Sequence, residues 1–71
     1  MSIVQVKLLN DGNYGDAENV NFPVMVEGED SLGNLIVVST EELLRVGFDW
    51  EDEDLDETWP FCIGMHCEVV S

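Results

Sequence analysis

The run LIVVSTEELLRVG, residues 35–47, changes character in its middle. Leu35 to Val38 is a short unbroken apolar stretch, which reads as a strand. From Ser39 onward the pattern is helical. Ser39 stands where an N-cap belongs, and Glu42 follows three residues later as in a capping box, with Thr40 as an alternative cap. Glu41 and Glu42 fall at the positive end of such a helix and Arg45 at its negative end. Gly47 is the expected terminator. The spacing predicts a helix of one to two turns near residues 40–46. Leu43, Leu44, Val46 and Phe48 would pack it on a sheet.

Working outward, Val4-Gln5-Val6-Lys7-Leu8 alternates apolar and polar residues, the period of a half-buried strand. NDGNYG (10–15) is dense in turn formers. Val20 to Glu27 reads as a second strand with Val20, Phe22, Val24 and Val26 on one face. Pro23 has no N–H for a ladder, which places that strand at an edge or bulges it there. GEDSLGN (28–34) reads as a turn. On the far side, Trp59, Phe61 and Ile63 alternate, GMH (64–66) turns, and Cys67 to Val70 closes the chain as a strand. Five short antiparallel strands and one short helix predict a mainly β fold, a small barrel. It would be one domain spanning 1–71, with an acidic loop at 49–57. Val4, Val6, Leu8, Val24, Val26, Leu35, Val37, Leu43 and Phe61 are the expected core.

The chain has 71 residues, 45% of them hydrophobic, and a formal charge of −14 from 16 acids against two basic side chains. A chain of this length buries about 60% of its unfolded surface, so the core is thin. The apolar fraction is nonetheless that of a folded domain, not of an acidic tail. With Lys7 and Arg45 alone on the basic side, direct binding to a nucleic-acid backbone is excluded, since it needs clustered cations. Anionic membranes are excluded on the same ground, and no apolar run approaches the ~18 residues of a membrane span. The start MSIVQVKLLN has neither the basic region nor the cleavage site of a secretory signal. Cys62 and Cys67 are too few for a disulfide framework. A cytoplasmic protein with reduced thiols is the expectation.

Seven of the sixteen acids lie in FDWEDEDLDETW (48–59). An EF-hand loop started at Asp52 places Asp52, Asp54 and Asp56 correctly, but has Glu57 where the turn glycine belongs and Ile63 where the bidentate Glu belongs. A start at Asp49 fails likewise, at Asp54 and Pro60. Zinc has only Cys62, His66 and Cys67 as soft ligands, one short of a structural site. Both cysteines read instead as small core hydrophobes, with His66 in a turn. Nothing marks a nucleophile held against a base and an orienting group. Neither a cofactor nor a catalytic centre is expected. The acidic run is left as an interaction surface. On an extended strand alternate side chains repeat about every 6.6 Å, which sets Asp52, Asp54 and Asp56 in a row, comparable with phosphates along a nucleic-acid strand. Glu51, Glu53 and Glu57 surround that row. Trp50 and Trp59 flank it, either as plugs for the core or, if exposed, as anchors for a partner.

A first strand, a loop containing NYG, a second strand, GNLIVVSTEELLRVGF (33–48) and WPFCIGMHCEVV (59–70) together resemble the small SH3-like barrel proteins often encoded by bacteriophages. The resemblance covers most of the chain and implies a fold and an accessory role, not a reaction. The acidic segment departs from it, and the aromatic groove of proline-binding SH3 domains is lacking. The expectation for function is a non-enzymatic acidic binding protein, a phage-type inhibitor. Its partner would be a basic host nucleic-acid-binding protein, and the occupied surface would be bound by polyanion mimicry. The site would comprise Asp49, Trp50, Glu51, Asp52, Glu53, Asp54, Asp56, Glu57 and Trp59. Alternatives are an accessory protein whose charge only solubilises it, and a weak divalent-cation module.

Overall fold

A computed structural model of the chain describes residues 3–50 and 55–70. It contains, in chain order, β1 (Ile3–Leu8), β2 (Val24–Asp30), β3 (Leu35–Ser39), α1 (Thr40–Val46), β4 (Thr58–Cys62) and β5 (Cys67–Val69). The strands form one antiparallel sheet in the order β4-β3-β2-β1-β5. β4 and β5 are therefore its two opposite edges, yet only Ile63–His66 lies between them in the chain. Flat, five strands would hold their edges about 19 Å apart. The connecting residues are instead wound into a turn, in which the N–H groups of Met65 and His66 both donate to Cys62 O, at 3.3 and 2.9 Å. The sheet must curl to bring its edges to that corner. Among the described residues β4 and β5 share no ladder, and the edges meet at the isolated Ile63–Cys67 bridge. The five antiparallel strands and short helix are as expected, but the barrel is a curled half-barrel: a three-residue β5 behind a tight turn is too short to seal it.

The inner face carries Val6, Leu8, Val26, Ile36, Val38 and Phe61, all essentially inaccessible, and Leu43 of α1 packs with them. Val6, Leu8, Val26, Leu43 and Phe61 match the expected core, whereas Val4 and Val24 are half-buried. On β3 the expectation is reversed: Ile36 and Val38 point inward, and Leu35 and Val37 lie half-buried on the outer face. An unbroken apolar run has no period from which to choose a face. The register chooses, pairing Val37 with Glu29 and with Pro60, both on the solvent side.

β2 also differs from its reading. It starts after Pro23, so the missing N–H falls outside the ladder, and β2 lies in the interior of the sheet. Val20 is buried from a turn, not a strand. The strand continues through Gly28, expected in a turn. A Cβ there would stand 2.5 Å from Ile36 Cγ2, so glycine leaves the space that the Ile36 side chain fills.

β3 pairs with β2 at Glu29–Val37 and Asp30–Ile36, then leaves the sheet as α1. The cap is as expected: Ser39 Oγ accepts from Glu42 N–H, and Gly47, at φ 122°, donates its N–H to Leu43 O and Leu44 O. The Glu42 carboxylate, however, leaves the helix. Its Oε1 accepts the Glu27 N–H at 2.9 Å, while Arg45 Nη2 donates to Met25 O at 3.2 Å and the two side chains pair with each other. An ion pair from α1 thus takes up backbone groups of β2 that β3 has left behind, which would otherwise lack protein partners.

Candidate acidic interface

The cations are engaged within the fold. Lys7 Nζ lies 3.6 Å from Glu68 and Arg45 2.9 Å from Glu42, whose carboxyl its hydrogen bond holds below the usual range. His66 Nδ1 meets Asn10 Oδ1 at 2.9 Å. Two basic residues cannot neutralise 16 acids, so the chain keeps a formal charge of −14.

The acidic run begins and ends at places the tertiary structure has already made acidic. At its start the Asp49 N–H donates to Asp16 O at 2.8 Å, and Asp49, Asp16, Glu18 and Asn19 line a small notch. At its end Glu57 O accepts from Thr40 N–H at 2.9 Å and from Thr40 Oγ1 at 3.2 Å. Thr58, the next residue, lines a groove of about 220 Å³ walled by Glu27, Glu29, Glu41 and Glu42. Asp16, Glu18, Glu27, Glu29, Glu41 and Glu42 are not among the site residues expected from the sequence. For Glu27 and Glu29 a signal existed: they alternate with Val24 and Val26 and therefore face outward.

Of the expected site residues, Asp49, Asp56 and Glu57 are exposed, and Asp56 lies in a turn with Leu55. Glu51, Asp52, Glu53 and Asp54 lie outside the described residues, and with them the row of alternate carboxylates. Trp50 is no exposed anchor. It is 9% accessible, its ring centroid 5.1 Å from Phe48 and 4.8 Å from Trp59. Trp59 is half-buried, packs edge-on against Tyr14 and donates its Nε1–H to Thr40 Oγ1 at 2.8 Å. The tryptophans flanking the run close the end of the core, because Tyr14 and Phe48 offer the apolar surface that their rings need.

Cys67 is buried, and burial, with Cys62 adding, pushes its thiol up, away from the reactive thiolate. Among the described residues no three metal-ligating side chains gather. No helix among them is long and apolar enough to cross a membrane. Searches against family models, curated proteins and solved structures find no match to this chain.

Proposed function

We propose that this chain is a non-enzymatic acidic binding protein that occupies the basic nucleic-acid-binding surface of another protein by presenting a polyanion. The observation that carries the reading is the placement of the run: Asp16 and Glu18 adjoin its start, and the groove of Glu27, Glu29, Glu41 and Glu42 adjoins its end. Carboxylates from elsewhere in the chain thereby adjoin the run at both ends, and both cations are engaged in pairs within the chain. Such a field speeds encounter with a basic partner and repels nucleic acid itself. We further infer a place among small SH3-like accessory proteins of the kind bacteriophages encode, a reading that rests on the sequence resemblance. The partner would then be a host nucleic-acid-binding protein met in the host cytoplasm, such as one of restriction, repair or transcription.

The test is to recover partners from bacterial lysate at low salt and titrate the purified partner with DNA or RNA. The acidic protein should displace the nucleic acid competitively, and binding should weaken steeply between 50 and 200 mM salt, as phosphate contacts do. Changing Glu51, Asp52, Glu53, Asp54, Asp56 and Glu57 to Asn or Gln should abolish the displacement. Unchanged binding by that variant would make the run a solvated loop and the proposal wrong.

A further inference from the structure

Next to Asp16 and Glu18 is a hollow of about 450 Å³ between the end of β1 and the loop that leads to β2. Leu9, Ala17 and Phe22, all half-buried, give it an apolar lining, and Asp11, Asp16 and Glu18 supply carboxylates. Its volume is within the range of pockets that hold ligands, about 300–1,000 Å³. We propose that this hollow is a socket for an arginine side chain of the basic partner, an inference that rests on the polyanion reading and names the contact giving it specificity. The aliphatic stem of an arginine can lie on the apolar lining. Its guanidinium is weakly hydrated, stacks on an aromatic ring such as Phe22, and pairs with carboxylates in a planar fork. A lysine ammonium is more strongly hydrated and lacks the fork. A second copy of this chain is a poor occupant, because its two cations are engaged and its charge of −14 repels.

The walls are held before any ligand arrives. The N–H of Leu9 donates to His66 O at 2.9 Å and Asn10 Nδ2 to Met65 O at 3.1 Å, tying the end of β1 to the turn before β5. Asp11 Oδ1 accepts the Asn13 N–H at 2.9 Å, and Asp16 O accepts the Asp49 N–H at 2.8 Å. The last bond sets the hollow beside the start of the acidic run, so one partner can fill the socket and cover the run together.

Nona-arginine and nona-lysine carry equal charge and separate the socket from the field. At low salt the unmodified protein should bind nona-arginine about three- to five-fold more tightly, the size of an exposed cation–π and stacking preference. Amide shifts should centre on Leu9, Ala17 and Phe22. Asp16→Asn with Glu18→Gln should remove the preference, and asparagine tolerates the left-handed backbone at Asp16, φ 56°. Glu27→Gln with Glu29→Gln removes the same number of charges elsewhere. It should weaken both peptides alike and keep the preference. Equal binding of the two peptides, or a preference that survives Asp16→Asn with Glu18→Gln, overturns the socket and leaves the polyanion reading standing. Binding of neither peptide overturns both.

Discussion

Thr40 joins the start of α1, the end of the acidic run and the Trp59 ring, so replacing it with valine tests how the run is anchored. Its side chain is fully buried. Oγ1 accepts from Trp59 Nε1 at 2.8 Å and donates to Glu57 O at 3.2 Å. Thr40→Val keeps the volume, the β-branch and nearly the same helix propensity, so the change isolates the hydroxyl. It leaves an indole N–H and a carbonyl without that partner. Each such loss costs about 1–3 kcal/mol when water cannot substitute. Trp59 is only half-buried and Glu57 is exposed, so water recovers part, and we expect a loss of about 1–2 kcal/mol. For a domain of this size that lowers Tm by roughly 5–15 °C, out of a total stability of only about 4–10 kcal/mol. The assay is thermal and urea unfolding of the wild type, Thr40→Val, Trp59→Phe and the double variant. Because Trp59→Phe removes the same donor, the two changes should be sub-additive, with a coupling of about 0.5–1.5 kcal/mol. A Thr40→Val protein as stable as the wild type, or an additive cycle, would refute the reasoning.

On β3 the two faces should separate clearly: Ile36→Ala should cost about 2–5 kcal/mol and Val37→Ala less than about 1 in urea unfolding, and equal costs would mean the register is misplaced. Glu42 has its carboxyl pKa lowered, first by its hydrogen bond to Arg45 and further by the Glu27 N–H. A depressed folded pKa contributes stability that is present above the unfolded carboxylate value and is lost as pH falls through the folded one. Glu42→Gln should therefore be about 1 kcal/mol less stable than the wild type at pH 7, and the gap should close as pH falls below the ordinary carboxylate range. A gap constant with pH would place its origin in packing. Neutralising the six acids between 51 and 57, or adding ~0.5 M salt, should raise Tm by relieving like-charge repulsion; a lower Tm in the neutralised protein would show that the run holds the fold together.

The short helix was legible because its signals are local: Ser39 as cap, acids in the first turn and Gly47 as stop act within a few residues of one another. β1, with Val6 and Leu8 inward, was legible because strict alternation encodes a face. The face of β3 was not, since four apolar residues in a row carry no alternation and only pairing with Glu29, Asp30 and β4 settles it. Nor was the extent of β2, where Gly28 reads as a turn until the Ile36 side chain is seen to sit 2.5 Å from the Cβ it lacks. Glu42 looked like half of a capping box, but an unpaired strand edge was a better use for its charge. The amount and sign of the charge, and its concentration at 49–57, belong to the sequence, because charge is a sum over residues and needs no fold. Where that charge meets other charge was decided only by tertiary structure. Asp16 joins Asp49 through a backbone hydrogen bond between distant loops, and Glu27 shares a groove with Thr58, the residue after Glu57, because a sheet curls and a helix packs beside it. The tryptophans follow the same rule: their sequence neighbours are acids, but their partners in space are Tyr14 and Phe48, and burial is set by partners in space.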